Sequence, residues 1–223
     1  MFLFRRPEMV KPEDALPGRE NAINPNPQKH AILGTDVLAE PGENQEVIYL
    51  AGGCYWGVEE IYWQMPGVVS TAVGFMGGYT PHPTYREVCT GETGHTETVR
   101  VVFDKTTTDV GVILKTFYEM HDPTSLNKQA GDIGTQYRSA VFYTTHEQGH
   151  TAVAMRDAYE KVLRAAGKGE IVTEFKSADS AGPFYLAEDD HQQYLHKVPN
   201  GYRCHSESGL PCPLPGSGPL AGI

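Results

Sequence analysis

Residues 47–57 read Val47-Ile48-Tyr49-Leu50-Ala51-Gly52-Gly53-Cys54-Tyr55-Trp56-Gly57, and this stretch decides the fold. Its first five residues are continuously apolar, which is typical of a buried central strand. The two glycines break that strand. Residues 54–65 then have a composition compatible with a helix, and Pro66-Gly67 end it. The sequence therefore predicts a buried strand that turns directly into a helix, with Cys54 at the turn.

The rest of the chain mixes further strands with further helices. We predict strands over residues 68–75, 95–103, 139–143 and 171–175 from their apolar or alternating pattern. Asp109 is expected to cap one helix, and Thr145 with Gln148 to form a capping box at the start of a long one. Residues 189–196 have a helical pattern. Because strands and helices do not alternate strictly, we expect an α+β sandwich with helices on a mostly antiparallel sheet.

Composition divides the chain into three parts. Residues 1–45 are polar and proline-rich and are predicted to form an extended arm. Residues 46–200 carry the apolar patterns and are expected to be the α+β domain. Residues 201–223 are rich in Gly, Pro and Ser and are predicted to be a mobile tail.

Charge and hydropathy exclude several classes of partner. The chain has 223 residues, a formal net charge of -10 and an isoelectric point near 5.3. An acidic protein does not attract nucleic acid or anionic membrane surfaces. No apolar run approaches the roughly 20 residues of a membrane span, and no apolar stretch follows Arg5 and Arg6 as a secretory signal requires. We expect a cytoplasmic protein, and a monomer.

Cys54 is the candidate nucleophile. Glycines ahead of it let another molecule approach the backbone closely. A helix N-terminus offers free N–H groups and a partial positive charge, which lower a thiol pKa and make the sulfur reactive. The alternative is a structural cysteine in a strand-helix turn.

Two further cysteines, Cys204 and Cys212, lie eight residues apart in the tail. A flexible segment suits resolving thiols, because a sulfenic acid on Cys54 is discharged by a second thiol that can reach it, and the disulfide then passes on by exchange. The alternatives are incidental exposed thiols, or half of a zinc site with His205 whose fourth ligand is not evident. No complete set of metal ligands is found, so we expect neither a metal nor another cofactor.

Acidic and phenolic side chains are candidate proton donors. Glu97 opens an apolar strand, Tyr85 lies in Thr84-Tyr85-Arg86-Glu87, and Asp132 and Tyr137 lie within residues 131–138. A carboxyl held neutral near pH 7 could protonate a leaving oxygen. Their spacing in the sequence does not bring these residues together. The alternative is an ordinary glutamate and two tyrosines whose hydroxyls have structural hydrogen-bond partners.

Five motifs in one order make the chain resemble the A-type peptide methionine sulfoxide reductases. They are Gly53-Cys-Tyr-Trp-Gly-Val-Glu59, Thr84-Tyr-Arg-Glu-Val-Cys-Thr-Gly91, Gly94-His-Thr-Glu97, Gly134-Thr-Gln-Tyr-Arg-Ser139 and Ala187-Glu-Asp-Asp-His-Gln-Gln-Tyr-Leu195. The resemblance covers residues 47–199. It implies a ferredoxin-like core with long coil extensions at both ends. It also implies reduction of methionine S-sulfoxide, free or in oxidised proteins, with thioredoxin as the reductant. Such an activity is protein repair under oxidative stress.

The resemblance also implies a role for each matched residue. Cys54 is the nucleophile, Tyr55 and Trp56 hold the substrate methyl group, and Glu97 is the proton donor. Tyr85 and Tyr137 bind the sulfoxide oxygen, Asp132 supports the site by hydrogen bonding, and Cys204 and Cys212 are the first and second resolvers. In this family the nucleophile is usually followed by Phe-Trp. Here Tyr55-Trp56 keeps the two aromatic rings beside the substrate and adds a hydroxyl. Cys89 has no part in this chemistry and is expected to be structural.

Three other functions remain open at this point. His146-Glu147-Gln148-Gly149-His150 spells the H-E-x-x-H zinc protease signature, which a zinc measurement would test. Cys54 with His191 and Asn200 has about the spacing of a papain-like cysteine peptidase, although the Cys-Gly that precedes that family's nucleophile is absent. A non-catalytic module that binds oxidised proteins would bind sulfoxide without consuming it.

Overall fold

The sheet of this protein is built around the predicted strand at residues 47–51. A computed structural model describes residues 7–204 and 207–214. The strands are β1 (Gln45–Gly52), β2 (Val68–Met76), β3 (Thr96–Asp104), β4 (Lys128–Gln129), β5 (Asp132–Ile133), β6 (Ser139–Tyr143), β7 (Glu174–Ser177) and β8 (Tyr185–Leu186). Six of them form one sheet in the order β7-β6-β1-β3-β2-β8, and β4 pairs with β5. Only the β6–β7 pair is parallel, so this sheet is mostly antiparallel, as predicted.

The helices are α1 (Tyr55–Trp63), α2 (Tyr85–Cys89), α3 (Val110–Glu119), α4 (His146–Ala165), α5 (Ala178–Ala181) and α6 (Tyr194–Lys197). Two 3-10 turns cover Pro12–Asp14 and Thr135–Tyr137. Helix α1 starts directly after β1 and α3 follows β3. Asp109 caps α3 by accepting the Val112 N–H at 3.0 Å, as predicted.

Most of the core lies between the sheet and helices α1, α3 and α4. Leu50 of β1 is opposite Val99 of β3 and Val141 of β6. These side chains join a buried cluster that includes Tyr62 of α1 and Phe117 of α3. A smaller cluster around Ala51, Met76, Ala140 and Phe142 covers the opposite face of the sheet. The apolar run of β1 is continuous because both faces of this central strand are covered.

Three local predictions differ from the structure. Strand β7 begins three residues later than predicted. The residues preceding Tyr194 are turns rather than helix, because Gln193 adopts a left-handed backbone conformation (φ 46°). Thr145 caps α4 by accepting the Gln148 N–H through its hydroxyl. The Gln148 side-chain oxygen accepts from the N–H of Thr144 rather than from that of Thr145, so the second bond of the predicted capping box is displaced by one residue.

The described part of the arm lies against the segments that follow β2 and β8 and against β3. Arg19 forms a bidentate ion pair with Glu87 of α2. Asn24 donates to the Asp189 carboxylate at 2.7 Å. Arg100 of β3 donates to the carbonyl groups of Val37 and Ala39. The arm therefore makes specific contacts along the domain although it contains little regular structure.

Candidate active site

Cys54 lies at the turn between β1 and α1, where the sequence placed it. It is the residue that precedes the first turn of α1 and is 5% exposed. Gly53 has a left-handed backbone (φ +98°), and a Cβ there would lie 2.8 Å from the Gln129 side chain. The turn therefore requires glycine, and Gln129 packs directly against the backbone of the candidate nucleophile.

The pKa of the Cys54 thiol is raised, which corrects the expectation of a lowered value. Burial is the largest cause, and the nearby carboxyl of Glu97 adds to it. The backbone N–H of Trp56 acts in the opposite direction, as expected at a helix N-terminus, but burial outweighs it. The resting sulfur is therefore a thiol, and it must lose its proton as it attacks.

Glu97 is fully buried at the start of β3 and faces this turn. Its Oε2 accepts the backbone N–H of Tyr55 at 2.9 Å, so the carboxyl is fixed one residue from the sulfur. Burial raises the pKa of Glu97 to about 8, and the charge of Asp132 acts in the same direction. A carboxyl with this pKa is mostly protonated at pH 7 and can donate a proton.

Tyr85 and Tyr137 face the same carboxyl from two different elements, the start of α2 and the 3-10 turn before β6. Burial and the charge of Glu97 raise the pKa of both phenols, so both hydroxyls stay protonated. Asp132 accepts the Tyr202 hydroxyl at 3.0 Å through one oxygen. Its other oxygen is buried and has no hydrogen-bond partner among the described residues. The fold thus brings together Glu97, Tyr85, Tyr137 and Asp132, which their spacing in the sequence alone did not predict.

An aromatic cluster stands beside this group. Tyr55 is 1% exposed and stacks against Tyr85, with 6.3 Å between ring centroids. The more exposed Trp56 stacks on Tyr194 at 4.1 Å and on His191 at 5.7 Å. The Trp56 indole N–H donates to His191 Nδ1 at 3.3 Å. A flat apolar surface of this kind can receive a methylthio group.

Sequence reasoning gave Glu188 no role and gave His191 one only in the papain-like alternative, although both lie in the last motif of the resemblance. His191 stacks on Tyr85 at 4.2 Å, and Glu188 accepts the backbone N–H of Tyr85 at 3.1 Å. Their positions depend on the turns before α6, which a helical pattern did not predict. The motif itself was the signal that could have placed them at the reductase site.

Glu59 of α1 holds these turns in place. This carboxylate is fully buried and accepts hydrogen bonds from the Gln193 N–H, the Gln193 side-chain amide and the Thr71 hydroxyl, each at 2.8–2.9 Å. Thr71 is in turn bonded to His30 Nε2 at 2.8 Å. Every partner of Glu59 is a donor, which favours the ionised carboxylate, whereas burial opposes ionisation and is the larger effect, raising the pKa to about 7.

The two tail cysteines occupy different places. Cys204 lies beside the site: its thiol donates to the Gln129 carbonyl at 3.3 Å, and it is among the groups that influence the pKa of Cys54. Cys212 is 2% exposed and packs in the core, where its N–H donates to Glu119 at 2.8 Å. Burial raises its pKa to about 12. Cys89 is exposed at the end of α2 and interacts with the Tyr85 side chain.

The residues of the alternative functions are not assembled into the sites those functions need. His146 and His150 lie in the first turns of α4, and no group of three His, Cys, Asp or Glu side chains suited to a metal occurs within residues 7–204 and 207–214. His191 is bonded through Nδ1 to Trp56 rather than to Asn200, which is exposed. Over the same described residues, no helix is long and apolar enough to cross a membrane.

Comparison with known proteins identifies the family. A family model for peptide methionine sulfoxide reductase matches residues 46–210. The chain belongs to this family. It is 48% identical over 212 residues to peptide methionine sulfoxide reductase MsrA of Corynebacterium efficiens, across 95% of this chain and 97% of the relative. It is 49% identical over 217 residues to MsrA of Rhodospirillum centenum, across 96% and 97%. The A-type resemblance carried by the five motifs is therefore confirmed.

Solved structures of MsrA relatives share the fold. Methionine sulfoxide reductase A of Corynebacterium diphtheriae superposes with a TM-score of 0.85 at 46% identity, covering 94% of this chain and all of that one. Reduced Mxr1 of Saccharomyces cerevisiae superposes with a TM-score of 0.67 at 30% identity, covering 75% and 95%. The protein is thus an oxidoreductase of the peptide methionine sulfoxide reductase family, with a mixed α/β fold and a six-stranded central sheet.

Proposed function

We propose that this reductase converts methionine S-sulfoxide, free or in proteins, to methionine through attack by Cys54 on the sulfoxide sulfur. The observation that carries the proposal is the buried Glu97 carboxyl, bonded to the Tyr55 N–H beside the thiol, with a pKa raised to about 8. A sulfur nucleophile and a neutral carboxylic acid at one turn are what sulfoxide reduction needs.

In the first half-reaction oxygen moves from the substrate to the enzyme. The Cys54 sulfur attacks the sulfoxide sulfur, Glu97 protonates the oxygen, and the proton that the thiol loses returns Glu97 to its acid form. The S–O bond of the substrate breaks as the hydroxyl passes to the Cys54 sulfur, and methionine leaves. Cys54 becomes a sulfenic acid, so the thiol is oxidised, the sulfoxide is reduced, and no net proton is gained or lost. Because Cys54 is a thiol at rest, we propose that its proton is lost only when the sulfoxide is bound.

The surrounding residues stabilise this step. Tyr85 and Tyr137 are proposed to donate their hydroxyl protons as hydrogen bonds to the sulfoxide oxygen, on which negative charge develops. The raised pKa of each phenol supports that donor role. Asp132 is proposed to support the site through the tail, by its bond with Tyr202. Trp56 and Tyr55 are proposed to hold the substrate methyl group.

In the second half-reaction the tail returns Cys54 to the thiol. Cys204 attacks the sulfenic sulfur, water leaves, and a Cys54–Cys204 disulfide forms. Cys212 then attacks Cys204, freeing Cys54, and a thioredoxin dithiol reduces the new disulfide. The bond of Cys204 to Gln129, whose side chain packs on Gly53, supports its place as first resolver. Mxr1 has been solved in complex with Trx2, which supports a partner of the thioredoxin kind.

We also infer a ferredoxin-like core from the order of its elements. The sequence β1-α1-β2-β3-α3-β6 gives four adjacent antiparallel strands in the order β6-β1-β3-β2, which is the β-α-β-β-α-β arrangement of that fold. The arm at 1–45, domain at 46–200 and tail at 201–223 remain the proposed division. Parts of the arm and tail lie outside the described residues. A monomer in the cytoplasm remains a prediction.

Single-turnover reduction tests the proposed function. Pre-reduced enzyme is mixed with methionine S-sulfoxide and no other reductant, and its disulfides are then mapped by mass. We expect roughly one or two methionines per enzyme, together with a new disulfide that involves Cys204. Cys54→Ser should form none, and the R epimer should remain unreduced. No methionine formed, with Cys54 still a free thiol, would overturn the proposal.

A further inference from the structure

A cleft of about 360 Å³ lies next to the candidate active site and has no part in the mechanism above. The end of α2, at Cys89, forms one wall together with Gly91. Ile133, Thr135 and Gln136 form the other wall, and Val10 of the arm lies at its side. Since α2 begins at Tyr85 and Gln136 precedes Tyr137, the cleft and the reacting centre share two walls.

Two buried oxygen atoms of this cleft have no hydrogen-bond partner among the described residues. They are Thr135 Oγ1 and Gln136 Oε1, and their residues are 2% and 5% exposed. The side-chain nitrogen of Gln136 donates to the Cys89 carbonyl, so the side-chain oxygen Oε1 faces away from Cys89. A Cβ on Gly91 would lie 3.8 Å from Gln136 Oε1 and 3.9 Å from Thr135 Oγ1, and a Cβ on Gly134 would lie 2.2 Å from Gln136 Oε1, so both oxygens lie beside the glycines that line the cleft.

Unpaired buried oxygens are costly to a folded protein and are therefore rare. Two of them in neighbouring residues, in a cleft beside a reacting centre, point to a ligand that supplies the missing donors. Gln136 Oε1 can only accept, and the Thr135 hydroxyl can accept or donate. The ligand must therefore carry hydrogen-bond donors, as the N–H groups of a peptide main chain are. Val10 and the exposed side chain of Ile133 add apolar surface next to these oxygens.

We propose that this cleft binds the main chain of the peptide that carries the methionine sulfoxide, next to the oxidised residue. An extended peptide supplies backbone N–H donors and, at alternate positions, side chains that can lie on apolar surface. The proposal rests on the proposed function and adds a preference to it: the cleft strengthens binding of peptide-bound sulfoxide and leaves free methionine sulfoxide unaffected.

Thr135→Val tests the cleft because it keeps the shape of the side chain and removes the hydroxyl. In the full-length enzyme, KM and kcat are measured for free methionine S-sulfoxide and for a blocked heptapeptide with the same sulfoxide at its centre. We expect KM for the peptide to rise about tenfold, with kcat and both constants for the free amino acid unchanged, as loss of one buried hydrogen bond in binding predicts. The melting temperature should not fall, because the unliganded hydroxyl is unpaired.

Matched variants separate the cleft from other effects. Thr135→Ser should restore the peptide KM, and Thr151→Val on α4 should change nothing. Gln136→Met removes the second oxygen and also the hydrogen bond to the Cys89 carbonyl, so it should raise the peptide KM and, unlike Thr135→Val, lower the melting temperature. Equal losses on both substrates, or no loss on either, would overturn the proposed cleft while the reductase activity stood. Wild-type enzyme that reduces neither substrate would instead overturn the proposed function, and the cleft's role with it.

Discussion

At the residue scale, the chemistry depends on the protonation of Glu97. Burial raises its pKa to about 8, so the acid is mostly neutral below pH 8 and ionised above it. We therefore expect the rate of the first step to fall as pH rises through about 8. Glu97→Gln should slow that step by about 10²- to 10⁴-fold, the range of general acid catalysis, and should remove this limb of the profile. Stopped-flow or quenched single turnovers between pH 6 and 10 measure both effects.

The fold of Glu97→Gln is its control, since a glutamine can still accept the Tyr55 N–H through its carbonyl oxygen. Circular dichroism and melting temperature should match the wild type closely. An unchanged single-turnover rate in a folded variant would refute the acid role. A lower rate that is matched by a loss of folded protein would not support the acid role, so the rate and the folded fraction are measured on the same samples.

The same pKa shift predicts how stability depends on pH. Folding raises the pKa of Glu97 from an ordinary value of 4.5 to about 8, and that of Glu59 to about 7. Below pH 6.5 the buried His30, His95 and His121 act in the opposite direction, because burial lowers the pKa of each from 6.5 to about 4. From about pH 6.5 to 8 the carboxyls decide: the native state binds more protons than the unfolded state, so the free energy of unfolding falls. Urea unfolding at pH 6.5 and pH 8 should show this decline. The decline should be smaller in Glu97→Gln, and an equal decline would contradict the assignment.

At the element scale, the turns before α6 depend on Glu59. Glu59→Gln places an amide NH₂ among groups that are all donors, leaving at least one buried donor unpaired. His191 and Tyr194 would then lose their fixed place against Trp56. We expect KM to rise about tenfold with a smaller change in kcat, because the aromatic surface binds the substrate and the transition state alike. Tryptophan emission should also shift, and Glu147→Gln at the start of α4 should change neither quantity.

The tail predicts a second effect at this scale. Cys212 is buried against α3 and α4, so it must leave this place before it can attack a Cys54–Cys204 disulfide. Cys212→Ala should therefore accumulate the Cys54–Cys204 bond after one turnover, and thioredoxin-supported turnover should slow. Cys204→Ala should stop after about one methionine per enzyme with thioredoxin. Mass mapping of the trapped disulfides distinguishes the two variants, and steady turnover without Cys204 would remove it from the relay.

Strands and caps followed from the sequence where local physics decides them. The apolar run before Gly52 and the cap at Asp109 needed no tertiary information. The turns at Gln193 did, because a buried carboxylate 134 residues away stabilises that left-handed residue. The same distinction holds for the active site. The glycines and the start of a helix predicted Cys54 as the nucleophile, whereas the raised pKa of its thiol follows from burial that only the folded chain provides.

At the scale of the whole molecule, the arm connects the two segments that form the site. Arg19 holds α2 through Glu87, and Asn24 holds the start of the 187–193 turns through the Ala187 carbonyl and the Asp189 carboxylate. His30 supports Glu59 through Thr71, and the Ala31 N–H donates to the Gln193 side chain. The ion pair of Arg19 is partly exposed and contributes little on its own. The arm therefore acts through many contacts that orient the site rather than through one strong bond.

Asn24 provides the test of this role for the arm, because the chain offers an exposed asparagine two residues away. Asn24→Ala removes bonds to Ala187 and Asp189, and we expect a two- to fivefold rise in KM and a fall in melting temperature of about 2–4 °C, the effect of roughly 1 kcal/mol in a chain of this size. Asn26→Ala should leave both quantities at wild-type values. If Asn24→Ala lowers the melting temperature without changing KM, the arm stabilises the domain but does not shape its active site. If the two asparagine variants are indistinguishable, the arm does neither at this position, and the turns before α6 are held from within the domain by Glu59.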